Sequence, residues 1–173
     1  HFVMNTLNNI HALVDINPDR AKSTIVELSK MMRYILYEGN NKLVALPREV
    51  QFLQNYMQLM RLRYTDRVRI NVNIPDTLPE LMMPPLMLII FVENAFKHGI
   101  SYRIDSFVEV TINISNDRLL FSCRNSRPPQ PEEEKKDGGM GLVNVRKRLD
   151  LRFPENYKLD IKEGKDIYEV ELD

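Results

Sequence analysis

Four polar side chains crowd the end of an otherwise apolar stretch. Residues 86–92 read Leu-Met-Leu-Ile-Ile-Phe-Val, and Glu93, Asn94, Lys97 and His98 follow. Glu93 and Lys97 are four apart, as are Asn94 and His98, so on a helix both pairs fall on adjacent parts of one face. Burying such groups costs free energy unless they are paired. The pattern therefore fits two arrangements. One is a helix end emerging into solvent, with a Glu–Lys pair worth roughly 0.2–0.5 kcal/mol. The other is a polar binding site. A second cluster, Asp137-Gly138-Gly139-Met140-Gly141-Leu142, stands at the head of a helical pattern. Glycines there let the backbone approach a ligand, and a helix N-terminus offers free N–H groups and a positive dipole end, a ready anion site. A loop that merely ends at a helix has the same composition. Its position after the polar helix end and after a charged, Pro-rich stretch (127–136) makes the anion-site reading more specific.

The elements that must hold these residues can be read from periodicity. Val3, Leu7, Ile10 and Val14 form one apolar seam, and Ala21, Ile25, Leu28, Met32 and Ile35 form another. Between them Asn17 suits an N-cap and Pro18 the first helical position, while Gly39 suits the C-terminal stop. The short turn predicts an antiparallel hairpin. Two such helices cannot bury both seams alone, so a second copy completing a four-helix bundle, a homodimer, is expected. His1, Asn5 and Asn8 share a stripe off the seam and should face outward. A third helix starts near Pro47, with Leu46, Val50, Leu53, Met57, Met60 and Tyr64 as its seam, and the loop 40–42 before it is the expected domain boundary.

Beyond residue 66 the texture changes. Val68, Ile70, Val72 and Ile74 alternate with polar residues as in a half-buried strand. Pro84 and Pro85 open a helix whose first turns, 86–92, are apolar nearly all round, hence buried. Strands are expected at 107–115 and 119–123 around Asn116-Asp117, a helix at 142–152, and strands at 157–161 and 167–172 around 163–165. The fold class is therefore α+β: a helical hairpin followed by a sandwich of a mostly antiparallel sheet with helices on one face.

Composition narrows the function. The chain has 173 residues, with 24 Lys+Arg against 24 Asp+Glu and a formal net charge of +0. That balance gives no basic footprint for nucleic acid and no bulk attraction to anionic lipid. The single cysteine, Cys123, excludes an intrachain disulfide and fits a reducing compartment. With three scattered histidines it also offers no zinc-ligand spacing. The longest apolar stretch, 81–92, is too short to span a bilayer. The chain opens on His1 without an initiator Met and is read as a fragment of a longer protein.

These motifs resemble a known family. Glu93-Asn94-Ala95-Phe96-Lys97-His98-Gly99 is similar to the N-box of the ATPase fold shared by gyrase, heat-shock chaperone, mismatch-repair and histidine kinase proteins. Gly139-Met140-Gly141-Leu142 with Asn144-Val145-Arg146-Lys147-Arg148-Leu149 resembles the G-box and following helix of one kinase branch. The opening His1-Phe2-Val3-Met4-Asn5-Thr6-Leu7-Asn8 resembles that branch's phosphoacceptor motif. The branch is the LytS-like class of bacterial sensor histidine kinases, and the resemblance covers essentially the whole chain with the motifs in the family's order.

The resemblance implies roles. His1 would accept the γ-phosphoryl group of ATP, Glu93 would polarise the nucleophile, and Asn94 would ligate Mg²⁺. Lys97, His98 and Asn144 would lie in the ATP site, the stretch 126–138 would form its lid, and Gly139, Gly141 and Leu142 would shape the hinge and the phosphate-facing turn. It also implies a homodimer, a response-regulator partner, no nucleic acid, and a cytoplasmic location tethered to the inner membrane only through segments absent from this chain. The sequence departs from the wider pattern in two places. Where an Asp-x-Gly-x-Gly strand end usually reads the adenine amino group, this chain has Cys123-Arg124-Asn125-Ser126-Arg127-Pro128. Asn125 still offers a carbonyl acceptor and an amide donor. No acidic residue follows His1, so any base must come from elsewhere, Glu93 being the candidate. The expected reading is a kinase core with a phosphoacceptor and dimerisation hairpin at 1–40 and an ATP-binding domain at 41–173. Two rivals remain at this point: a nucleotide-sensing or scaffold module acting through dimer contacts, and an ATP hydrolase in which Glu93 activates water.

Overall fold

The computed structural model describes residues 2–129 and 140–173. Among these the elements run α1 (Phe2–Val14), α2 (Pro18–Tyr37), β1 (Val44–Ala45), α3 (Leu46–Arg63), β2 (Val68–Asn73), β3 (Met82–Met83), α4 (Leu88–Gly99), β4 (Ser106–Ser115), β5 (Arg118–Ser126), α5 (Met140–Arg152), β6 (Leu159–Glu163) and β7 (Ile167–Leu172). His1 and the stretch 130–139, with Gly139 and most of the expected lid, lie outside the described residues.

The hairpin forms as its sequence predicts. Asn17 Oδ1 accepts from the Arg20 N–H at 3.0 Å with Pro18 in the first helical turn, so the cap and the proline both specify the start of α2. Helix α2 ends at Tyr37, and the Glu38 and Gly39 N–H groups both donate to the Tyr34 carbonyl. Gly39 serves here by its size: a Cβ would stand 2.5 Å from the Ile35 carbonyl oxygen, and its φ is not positive. The two seams divide. Ile10, Ala21 and Leu28 close a small core inside the hairpin. Leu7, Val14 and Ile25 remain 45%, 50% and 48% exposed, so two of the four residues of the first seam and one of the five of the second stay open among the described residues. Asn5 and Asn8 face outward as expected.

The five-stranded sheet has the order β2-β4-β5-β7-β6. Strands β4, β5, β7 and β6 pair antiparallel, while β2 pairs parallel to β4. Asn116 and Asp117 both adopt positive φ (50° and 59°), the left-handed pair that a two-residue turn between twisted strands requires. Alternation puts Val108, Val110, Ile112, Phe121 and Cys123 on the inner face, where Leu53, Met57 and Met60 of α3, Phe91 and Val92 of α4, and Val145 and Leu149 of α5 complete one core. The outer face is polar: Arg124 bridges Glu109 at 3.2 Å and Glu169 at 3.5 Å across three strands. Helices on one face of a mostly antiparallel sheet is the architecture the sequence pattern predicts.

Several boundaries differ: β5 runs on to Ser126 instead of ending at Cys123, and β6 begins at Leu159 instead of Tyr157. Helix α4 begins at Leu88 rather than at the prolines, because Leu86 takes φ 56° and breaks the helical path two residues earlier. Two two-residue strands that alternation cannot reveal, β1 and β3, also pair antiparallel beside this entry.

Candidate active site

The candidate nucleotide cleft is assigned where α4 and α5 meet beside the end of β5. Helix α4 is buried along Leu88, Phe91, Val92, Ala95 and Phe96, which fixes its polar face. Asn94 and His98 on that face are half-buried, while Glu93 and Lys97 reach solvent. At the head of α5, Gly141 lies against α4: a methyl group there would stand 3.5 Å from Ile90 Cγ2 and 3.9 Å from Asn94 Nδ2. The two motifs, about fifty residues apart in sequence, are thus brought together. Leu142 is half-buried against the core and Asn144 is exposed on the same helix.

Asn125 reaches the cleft from the end of β5 and is 2% exposed. It packs so tightly on the last residue of α4 that a Cβ on Gly99 would stand 2.7 Å from both its Cβ and its Nδ2. Only glycine fits there. The Asn125 amide donates to the Ser126 carbonyl at 2.7 Å, while its Oδ1 is buried without a hydrogen-bond partner among the described residues. Buried polar atoms are nearly always paired, so an orphaned acceptor calls for a donor from elsewhere. Ser126, expected as the first residue of the lid, instead ends β5 and fastens this corner. Its Oγ donates to the Gly99 carbonyl at 2.5 Å and accepts from the Phe107 N–H at 3.0 Å. Arg127 is pinned in turn to the β6–β7 turn, its N–H donating to the Asp166 carbonyl and its guanidinium to the Gly164 carbonyl.

Burial raises the Glu93 carboxyl above its ordinary range. The same charge acts on Tyr56, whose phenol is raised first by burial and then by Glu93. Tyr56 also receives Phe2 of α1, ring centroids 5.1 Å apart, and Phe96 of α4 at 5.9 Å. One buried tyrosine therefore touches the residue next to His1 and the helix that carries Glu93.

A helical hairpin leading into this sandwich, with its cleft between two motif-bearing helices, has the architecture of a histidine-kinase core. The family model described as Histidine kinase matches residues 1–68. The histidine kinase domain of the blue-light activated histidine kinase of Erythrobacter litoralis shares the fold, with a TM-score of 0.53 at 15% identity over 99% of this chain and 87% of that one. The chain is a homologue of LytS sensor kinases. It is 29% identical to the sensor protein LytS of Oceanobacillus iheyensis over 94% of its own length and 30% of that protein's. It is 36% identical to the sensor histidine kinase/phosphatase LytS of Staphylococcus aureus strain Mu50, over 60% of its own length and 18% of that protein's. The chain spans less than a third of the length of these curated relatives. Among the described residues no helix is long and apolar enough to cross a membrane.

Proposed function

We propose that this chain is the kinase core of a two-component sensor. It transfers the γ-phosphoryl group of Mg·ATP to His1 and then passes it to an aspartate of a separate response regulator. The observation that carries this reading is the buried Asn125 Oδ1, unpartnered among the described residues, on the side chain packed against Gly99 at the end of α4. A lone acceptor there complements the exocyclic amino donor of adenine and disfavours guanine, which presents a carbonyl in that place. Asn125 thereby does with an amide what the family does with a carboxylate. Residues 1–40 act as the phosphoacceptor and dimerisation hairpin, and 41–173 as the ATP-binding domain. The exposed Leu7, Val14 and Ile25 supply the face on which a second copy docks. The longer protein would hold this core at the cytoplasmic side of the inner membrane through segments outside the chain.

In the transfer step a neutral His1 nitrogen attacks the γ-phosphorus, the bond to the bridging oxygen breaks, and ADP departs. The imidazole proton leaves to a base, and Glu93 fits that role: it is acidic, raised above the ordinary carboxylate range, and next to the tyrosine that holds Phe2. Asn94 and its neighbours would hold Mg²⁺, which neutralises charge on the phosphates. Lys97, His98, Asn144 and Gly141 are the residues assigned to the phosphate end, near the head of α5, where helix N–H groups favour anions.

Incubation with γ-labelled ATP and Mg²⁺ tests the assignment. Acid-labile label on the protein is expected. Label released as free phosphate would make the chain a hydrolase, and binding without either would make it a nucleotide-sensing scaffold. Calorimetry should give an affinity on the order of 10–1000 μM, roughly −4 to −7 kcal/mol. Asn94→Ala should remove the Mg²⁺ dependence of that binding, and an unchanged dependence would refute the metal assignment.

A further inference from the structure

Among the described residues, the buried acidic side chain lies on α3, away from Glu93 and Asn94. Glu49 of α3 is 1% exposed, and four donors converge on its carboxylate. Oε1 accepts from the Met87 N–H at 2.8 Å and the Leu88 N–H at 3.1 Å. Oε2 accepts from the Leu86 N–H at 2.9 Å and the Tyr34 hydroxyl at 2.6 Å. Three consecutive amides at the start of α4 thus close on one carboxylate, at the positive end of that helix's dipole. The convergence requires Leu86 in the left-handed region, a conformation a leucine adopts only when its surroundings impose it. The fourth donor comes from the hairpin. Tyr34 belongs to α2, stacks on Phe52 of α3 with centroids 4.6 Å apart, and is held protonated by burial and by the Glu49 charge. A second tie at the other end of α2, from the Arg20 guanidinium to the Leu62 carbonyl, lays α2 along α3.

We propose that Tyr34 and Glu49 are positioning residues that latch the hairpin onto the start of the catalytic helix, holding it docked for phosphoryl transfer. The inference rests on the kinase reading above and adds to it how hairpin and nucleotide cleft are kept in register. Glu49 fixes where α4 begins, and so where Glu93 and Asn94 stand one to two turns later. The Tyr34 hydroxyl ties α2, and with it α1, to the same carboxylate. With α2 seated on α3, Phe2 rests on Tyr56, which also touches Phe96 of the helix that carries Glu93. The Tyr34 hydroxyl leaves the three amides on Glu49 in place, so its loss acts on the transfer step and not on nucleotide affinity.

Tyr34→Phe removes one hydroxyl and leaves Glu49 capped by its three amides. In the full-length protein it should slow autophosphorylation by ~10-fold, the population ratio that one hydrogen bond to a charged acceptor sustains. KM for ATP should stay within about two-fold, because kcat alone depends on docking. A transfer rate equal to or above wild type, or a change in KM at constant kcat, overturns the proposal. Hydrogen exchange gives a readout that needs no activity. Tyr34→Phe should speed exchange along α2 while the amides of 86–88 stay protected, and Glu49→Gln should expose those three amides. Unaltered exchange in both variants overturns the latch. Wild-type protein that takes no label on histidine, yet shows the predicted exchange, would remove the kinase reading and leave the latch standing.

Discussion

Replacing His1 by Gln reduces acid-labile phosphorylation of the protein to background and leaves ATP affinity unchanged. Glutamine keeps the polarity and approximate length of the side chain but has no ring nitrogen with a nucleophilic lone pair. Transfer to this position therefore has no substitute route. The affinity should be untouched because the groups assigned to nucleotide lie on other elements: Asn94, Lys97 and His98 on α4, Asn125 on β5, Gly141 at the head of α5. The loss also separates the two halves of the proposed function. Calorimetry on His1→Gln reports the cleft alone, and label on wild type reports the cleft and the hairpin acting together. Two results would refute the assignment. Label that persists and maps to another histidine, such as His98, would make the hairpin a scaffold. Loss of ATP binding in the variant would place His1 in the nucleotide pocket and make its role structural.

Periodicity made most of the frame legible. The hairpin, its Asn17-Pro18 start and the seam of α3 follow from spacing at 3.6 residues per turn, and the sheet strands follow from alternation. The Asn116-Asp117 turn was legible because these two residue types tolerate the left-handed region best after glycine. The remaining features depend on partners that spacing does not encode. Glu49 sits among polar residues of an amphipathic helix and reads as surface; its burial comes from the α4 entry, thirty-seven to thirty-nine residues downstream. The same contact bends Leu86 and delays α4 to Leu88, against a run of apolar residues that promised a helix from the prolines. The parallel pairing of β2 with β4 was hidden because period-2 alternation identifies a strand, not its neighbour. Within the cleft, the N-box and Gly-rich motifs were legible as residue types. That Gly99 is required by Asn125, and that Ser126 ties both to β4, appears only once α4 lies across the end of β5.

Replacing Glu93 by Gln slows phosphoryl transfer by ~10²–10⁴, the range lost when a general base is removed, and changes ATP affinity far less. The carboxyl is raised by burial, which makes it a stronger base than an exposed glutamate. A general base works only while ionised, so activity is expected to fall as pH drops through the raised Glu93 value, and the residual activity of Glu93→Gln should lose that limb. Stability should move the other way. A carboxyl whose folded value is raised contributes stability that is complete below the unfolded value, about 4.3, and is lost as pH rises through the folded value. At pH 7 the ionised group therefore burdens the fold, and Glu93→Gln should melt slightly higher than wild type. The gain is small because Glu93 is partly in water, and it should vanish near pH 3. Thermal melts at the two pH values, set beside single-turnover labelling, distinguish a catalytic carboxylate from a structural one. A structural Glu93 would lose stability and activity together. A base at this site loses activity while the fold gains, the exchange that active-site groups held away from their most stable state impose.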